Sequence, residues 1–236
     1  MAPHLSVVIP VYNEASIVAS AAGELKEGLA ARGLNFEIIF AENGSRDETP
    51  RILQDLCAAD PRLRWFHSET PNYGAALKRG ILEARGAVVV CDEIDLCDLV
   101  FYDAALPLLE RDAADMVVGS KAAKGSSDRR PVIRRVATRL HNRLLRVALG
   151  FQGTDTHGLK AFKRESLLPV IHKCVVDMDV FASEFVIRAW REGLRVLEIP
   201  IQLQEKRQPS VHLFRRVPNV LKNVGRLVYV IRVRGR

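Results

Sequence analysis

Hydrophobic positions fall in short runs separated by longer amphipathic stretches. Residues 5–11, 36–41, 62–66, 87–91 and 115–119 are dominated by Val, Ile, Leu and Phe. Runs of this length and composition, bounded by polar turns, predict buried strands. The intervening stretches 14–32, 47–59, 73–85 and 99–111 predict helices, several opening on the polar or acidic residues that cap a helix. Strand and helix in alternation predict an α/β domain with a mostly parallel sheet and helices on both faces. From Pro131 to Leu149 the pattern turns helical: Val132, Val136, Leu140, Leu144 and Ala148 mark one side, and Arg134, Arg135, Arg139, Arg143 and Arg146 the others. This predicts a core helix with a solvated basic face. Residues 155–163 return to strand character, followed by a helix over Phe181–Arg191 and a strand over Arg195–Ile201. In the tail, Val217, Val220, Leu221, Val224, Leu227, Val228 and Ile231 keep helical spacing, with Pro218 suited to a first turn.

The run from Gly86 to Leu96 carries the first chemistry, because its β-branched core ends in Asp92, Glu93 and Asp95. Open α/β sheets bind ligands beyond the carboxyl ends of their strands. Hard divalent cations take carboxylate oxygens, and Mg2+ is usually shared between one or two carboxylates and substrate phosphates. The local expectation is a metal site for a phosphorylated substrate; a solvated acidic turn is the plainer alternative.

Two further segments share the strand-then-turn design, Leu5-Ser-Val-Val-Ile-Pro-Val-Tyr-Asn-Glu14 and Phe36-Glu-Ile-Ile-Phe-Ala-Glu-Asn-Gly-Ser-Arg-Asp-Glu-Thr49, and Asn72-Tyr-Gly-Ala-Ala-Leu-Lys-Arg-Gly80 leads a third helix into the acidic strand. In this order, with the acidic strand fourth, they resemble the family 2 glycosyltransferases, most closely the dolichol-phosphate (polyprenyl-phosphate) mannosyltransferase branch. The resemblance covers roughly residues 5 to 210. The spacing and charge of the tail mark 211–236 as a basic amphipathic C-terminal helix, and the resemblance implies a GT-A (Rossmann-like) fold as a single domain over 1–210. It also implies metal-dependent, inverting transfer of a mannose- or glucose-type sugar from a GDP- or UDP-sugar to a polyprenyl phosphate, with Mg2+ or Mn2+ as cofactor.

The same resemblance assigns candidate residues. Pro10, Tyr12 and Glu14 match the motif that lines the nucleotide pocket. Glu42 and Asn43 fall where the family usually has paired aspartates, and Ala41 joins them in the donor-binding set with Asp92, Glu93 and Ser210. The family's Asp-x-Asp aligns on Glu93-Ile94-Asp95, which makes Glu93 and Asp95 the metal pair. Asp92 with Asp95, after a one-residue rearrangement, is the alternative. Cys97 stands where the branch commonly has a Gln ligand; a thiol suits Mg2+ poorly, so that contact passes to water or Asp98, and Mn2+ is expected to serve better. Lys121 and Arg134 match basic positions, and Arg207 matches the Arg of an Arg-x-x-Ser segment ending at Ser210, stiffened here by Gln208 and Pro209. Such cations stabilise a leaving diphosphate and bind an acceptor phosphate. Glu184 falls where the family has a Glu on the acceptor side; an ordinary helix-surface charge is the alternative. A phosphate acceptor needs no general base, whereas a hydroxyl acceptor does, and His157 would suit it. Otherwise His157 is a strand histidine bonded to Asp155.

Charge sharpens the partner expectation. Of a net charge of +7 over 236 residues, Lys121–Arg146 holds nine Lys or Arg against one acid, and Val211–Arg236 holds seven against none. The rest of the chain is therefore net −8. Such segregation suits a polyanion: a nucleoside diphosphate, a lipid phosphate, an anionic membrane or nucleic acid. Nucleic acid is not expected, because the basic segments lack interleaved aromatics and a compact recognition motif. A soluble hydroxyl acceptor and a non-catalytic nucleotide-binding protein remain as alternatives. The first residues lack a charged-then-apolar leader, and no apolar run reaches about 18 residues. A cytoplasmic protein, in contact with the cytosolic membrane face, is expected. The tail helix then lies on an anionic surface or docks on its own domain or a partner subunit. Cys57, Cys91, Cys97 and Cys174 lack zinc-type spacing and read as free thiols. Residues 122–130 are loop-like and flank the cations, as a lid over the donor would.

Overall fold

A computed structural model describes residues 2–123, 127–128, 132–156, 158–176, 180–203 and 213–232, without the side chains of 127–128, 132–135, 137–139, 141, 202–203 and 213–221. The strands are β1 (Leu5–Val11), β2 (Phe36–Glu42), β3 (Leu63–Phe66), β4 (Val88–Cys91), β5 (Met116–Ser120), β6 (Ser127–Asp128), β7 (Lys160–Lys163), β8 (Val196–Pro200) and β9 (Gln202–Leu203). The helices are α1 (Val18–Ala31), α2 (Thr49–Ala59), α3 (Tyr73–Glu83), α4 (Leu99–Glu110), α5 (Val132–Leu149), α6 (Arg164–Lys173), α7 (Phe181–Arg191) and α8 (Leu213–Arg232). Seven strands form one sheet in the order β3-β2-β1-β4-β7-β5-β8, and β6 pairs with β9 apart from it. Within the large sheet only β7 runs antiparallel to its neighbours. The chain leaves β1 on one side for β2 and β3, then returns on the other side to β4. That reversal creates a topological switch at the carboxyl end of β1, where α/β sheets open a ligand crevice.

Both faces of the sheet are buried, which is why its strands read as continuous apolar runs. Leu5, Val7, Ile9 and Val11 face a core shared with α1 and α4, through Leu25, Phe101 and Tyr102. Val8 faces the other core, built from α3, α7 and α8 through Leu77, Phe185 and Leu227. At the amino ends of the strands, a buried polar network fixes the register. Glu37 accepts hydrogen bonds from Ser6 Oγ (2.7 Å), Arg64 Nη1 (2.8 Å) and the Arg85 N–H (2.8 Å), and Ser6 Oγ accepts one from the Gly86 N–H (2.8 Å). Burial opposes the charge on Glu37, but these bonds outweigh it and hold the carboxyl below its ordinary range. Gly86 is required there, since a Cβ would lie 2.6 Å from the Ser6 nitrogen.

Four expectations need correction. Residues 155–163 are not all strand, because only Lys160–Lys163 pairs. The sequence reading missed α6, whose Pro169 and polar opening mask its period. The tail helix begins at Leu213, so Pro218 sits in its second turn. Finally, α5 turns the other way. Asn142, Leu145 and Leu149 are its buried residues, whereas Val136, Leu140 and Leu144 of the expected core stripe are exposed. The helix carries two apolar stripes, and periodicity alone does not say which one docks. On α8, Val224, Leu227, Val230 and Ile231 are buried in the domain's own core, so one side of this helix docks on its own domain. No helix among the described residues is long and apolar enough to cross a membrane. The four cysteines are free, and burial pushes the Cys91 thiol up to about 12.

Two stability predictions follow from the β5 region. Asp115, just before β5, accepts from the Arg195 backbone N–H (2.9 Å), from Nε (3.0 Å) and from Nη2 (2.8 Å), which holds its carboxyl below the ordinary range. The unfolded chain therefore takes up this proton first, so the contribution is full above the ordinary carboxylate pKa of about 4 and fades as pH falls through the native value. Asp115→Asn should lower the melting temperature by about 2–5 °C at pH 7, with the gap to wild type closing in acid; a gap independent of pH would contradict this. Gly158 meets β5 so closely that a Cβ would lie 1.7 Å from the Gly119 carbonyl oxygen. Gly158→Ala should cost roughly 1–3 kcal/mol in denaturant titration, and a neutral result would show that β7 shifts freely.

Candidate active site

The turns after β1 and β2 are tied together through polar side chains. The Asn13 N–H donates to Ser45 Oγ (2.8 Å), the Glu14 N–H to Thr49 Oγ1 (2.9 Å) and the Ala15 N–H to Asp47 Oδ2 (3.1 Å), while Asn13 Oδ1 accepts from the Arg46 N–H (2.8 Å). Asn13 adopts φ 54°, a left-handed conformation that Asn tolerates and that turns the chain sharply after Tyr12. Pro10 is the penultimate residue of β1, and Tyr12 is exposed just beyond its end.

On β2, Ala41 and Glu42 are fully buried and Asn43 nearly so. Glu42 accepts from the Ser45 N–H (2.5 Å) through Oε1 and pairs with His67 Nδ1 through Oε2. Asn43 Oδ1 accepts from the Asn72 N–H (2.6 Å), and Asn72 Oδ1 in turn caps α3 by accepting from the Ala75 N–H (3.1 Å). The amide that replaces a family aspartate thus holds the start of α3, where Tyr73 is exposed.

The end of β4 separates its three acids. Asp92 is buried and turned inward: Oδ2 accepts from Tyr102 O–H (2.6 Å) and Oδ1 from the Glu93 N–H (2.7 Å). Burial dominates and pushes its carboxyl up to about 7, against the pull of those two bonds. With both Asp92 oxygens engaged in the interior, the part-exposed pair is Glu93 and Asp95. Desolvation raises the Glu93 pKa. Lys121 pulls it down, Asp95 raises it, Lys160 pulls it down and Asp155 raises it. Cys97, at φ 44°, places its thiol near the Glu93 and Ile94 carbonyls (3.8 and 3.7 Å).

Lys160 and Glu198, which the sequence reading passed over, organise the far side. Lys160 is buried on β7 opposite Cys91, donates to the Gly158 carbonyl (2.7 Å), and has its pKa lowered by desolvation. Glu198 Oε1 accepts from the Thr154 N–H (2.7 Å) and the Asp155 N–H (3.2 Å), while Oε2 accepts from Thr154 Oγ1 (2.6 Å). Because the Thr154 proton is committed to Glu198, Ser120 O–H donates to Thr154 Oγ1 (2.6 Å). Ser120 Oγ is then open to the Ala122 N–H (3.1 Å) and Ala123 N–H (3.0 Å). The Lys121 N–H also donates to Asp155 Oδ2 (3.3 Å). One carboxylate on β8 thereby sets both the Lys121 turn and the Asp155 loop. The available signal was an isolated Glu or Lys inside an apolar strand, which needs a buried partner.

Glu184 is not the helix-surface charge that was the alternative for it. It is fully buried, and it accepts from the Val175 N–H (3.0 Å), the Val176 N–H (2.7 Å) and Arg188 Nε (2.7 Å), so it holds the chain before α7. Arg134 lies in the first turn of α5, its side chain outside the described set. His157, Arg207, Gln208, Pro209 and Ser210, and most of the 122–130 stretch, also lie outside the described residues. A cavity of about 970 Å³ opens at the opposite end of β4 between Pro3, Arg85, Leu109 and Pro169, away from the acidic cluster. Among the described residues, no three His, Cys, Asp or Glu are grouped to hold a metal by themselves. Glu93 and Asp95 nevertheless fit a hard cation shared with a phosphorylated ligand. They supply oxygen donors, and the desolvation and Asp95 repulsion that raise Glu93 are both offset by a bound cation.

Comparison with known proteins agrees with this fold. A family model described as glycosyl transferase family 2 matches residues 6–168. The glycosyltransferase AglD of Haloferax volcanii is 33% identical over 98% of this chain, which spans 38% of AglD. A dolichyl-phosphate beta-glucosyltransferase of Saccharomyces cerevisiae is 26% identical over 85% of this chain and 67% of its own length. Among solved structures, mannosyl-3-phosphoglycerate synthase from Rubrobacter xylanophilus superposes with TM-score 0.69 at 19% identity, covering 99% of this chain and 76% of that one. Glucosyl-3-phosphoglycerate synthase from Mycobacterium tuberculosis, in complex with Mn2+, uridine-diphosphate and glucosyl-3-phosphoglycerate, gives 0.66 at 20% identity, covering 96% and 80%. With the family model matching more than half of its length, the chain belongs to glycosyltransferase family 2, and its sheet is that of the GT-A fold.

Proposed function

We propose that this chain transfers a mannose- or glucose-type sugar from a GDP- or UDP-sugar to a polyprenyl phosphate, with inversion, at the cytosolic face of a membrane. The observation that carries the proposal is the pair Glu93 and Asp95 at the carboxyl end of β4, beside the switch point that also presents Tyr12. The names of relatives support the acceptor, since dolichyl-phosphate beta-glucosyltransferases occur among them. A solved structure of this fold binds Mn2+ and uridine-diphosphate, which supports a divalent ion and a nucleotide donor.

Each residue then has a definite task. Tyr12 and Tyr73, exposed at neighbouring strand and helix ends, offer ring faces to the base and ribose. Pro10, Glu14, Ala41 and Asn43 shape the floor beneath them, and Glu42 keeps its turn rigid through Ser45 and His67. Glu93 and Asp95 would hold Mg2+ or Mn2+ together with diphosphate oxygens, and the ion when bound neutralises charge on the leaving group. Lys121, Arg134 and Arg207 add fixed positive charge to the diphosphate and the acceptor phosphate, and Ser210 a hydroxyl. An anionic acceptor attacks without proton removal, so His157 and Asp155 are not required as bases on this reading.

Purified protein incubated with GDP-mannose or UDP-glucose, Mn2+ and a short-chain polyprenyl phosphate should yield a polyprenyl-phosphate hexose by mass spectrometry. Asp95→Ala should lower kcat roughly 100-fold or more while the protein stays folded. Product on a soluble hydroxyl compound alone would replace the acceptor, and no transfer from any sugar nucleotide would end the proposal. Glu198→Ala should lower kcat/KM roughly tenfold by loosening Lys121 and Asp155, with Glu198→Gln keeping more activity; equal activity in all three proteins would show that the loops need no such anchor.

A further inference from the structure

The two longest helices share a feature that sugar transfer does not explain. Together α5 and α8 contain ten Lys or Arg and no Asp or Glu, and they pack against each other. On α5, Val136, Leu140, Leu144 and Val147 are all exposed, Leu140 to 67% and Val147 to 76%. Their spacing of four, four and three residues makes a single stripe about 16 Å long. The buried residues Asn142, Leu145 and Leu149 lie about 180° around the helix from it. That buried side is bound to the active site, because Asn142 Nδ2 donates to the Thr154 carbonyl and Arg146 Nη2 to the Gly153 carbonyl (3.4 Å). Exposed cations accompany the stripe: Arg143 on α5, and Lys222 and Arg232 beside the exposed Tyr229 on α8.

We propose that the outer side of α5, with the adjoining outer side of α8, docks on an anionic lipid bilayer, the aliphatic stripe entering the interface and the cations meeting lipid phosphates. The inference deepens the polyprenyl-phosphate reading and rests on it for the presence of a bilayer at the acceptor. The chemistry selects this occupant. Branched aliphatic side chains have no stacking partner on a nucleic acid but gain from burial at the acyl boundary. A second copy would bring the exposed Arg143, Lys222 and Arg232 against their own like charges, without a compensating acid on either helix. With Asn142 holding the Thr154 loop, docking α5 sets the Asp155 loop of the site directly above the lipid phosphates.

The test is flotation of the full chain with vesicles of phosphatidylcholine alone, or containing about one third phosphatidylglycerol. Binding should require the anionic lipid and weaken with salt. Arg143→Gln should reduce it roughly fivefold. Leu140→Asp combined with Val147→Asp should reduce it more than tenfold, while circular dichroism and nucleotide binding stay unchanged, since neither residue contributes to the core. Undiminished vesicle binding by the double variant would overturn the proposal. So would salt-dependent binding to duplex DNA without binding to anionic vesicles, which would assign the face to a nucleic acid. The assay contains no sugar donor. Vesicle binding without transfer would therefore count against the acceptor reading alone, and transfer to a short-chain acceptor without vesicle binding against the surface alone.

Discussion

Keeping a desolvated carboxylate beside other acids is the constraint around which the carboxyl edge of this sheet is built. Desolvation bears most on the charge of Glu93, and Asp95 and Asp155 add to its cost. Buried like charges persist only when cations or hydrogen bonds compensate them. Here Lys160 supplies a fixed buried cation from β7, and Lys121 a second from the end of β5. The antiparallel insertion of β7 between β4 and β5 puts Lys160 directly opposite Cys91, one residue before the acids begin. The topology and the electrostatics of the site are thus one arrangement.

The remaining acids near this edge are scaffolding. Asp92 spends both oxygens on Tyr102 and its neighbour's N–H, Glu42 on Ser45 and His67, Glu184 on Arg188 and two N–H groups, and Glu198 on the Thr154 segment. In each case a carboxylate gathers backbone or hydroxyl donors that a loop leaves unpaired. Glu93 and Asp95, the pair proposed to hold the cation, are not spent on this scaffolding. A charged residue near a motif is therefore sorted by its partners, which sequence position does not reveal.

That distinction explains what was legible beforehand. The first five strands and the helices between them were readable because apolar runs of four to seven residues, closed by Asn, Gly and Asp turns, leave little alternative. Glu93 and Asp95 were readable because their strand ended in charge. The inward turn of Asp92 was not, because its partner Tyr102 lies ten residues on within a helix whose facing the sequence does not fix. Glu184 offered one local hint, Arg188 one helical turn later, but its two backbone donors precede the helix. The orientation of α5 was misread because both of its apolar stripes satisfy helical spacing, and a polar residue, Asn142, lies on the side that docks.

The central claim is that Glu93 and Asp95 form a cation-dependent seat for a nucleoside diphosphate. Titration calorimetry of the purified chain against the common nucleoside diphosphates, each with and without Mn2+, tests it most directly. The account predicts that one nucleotide binds well and only when the cation is present. Equal affinity without the ion, or no binding by any nucleotide to the folded protein, would contradict it.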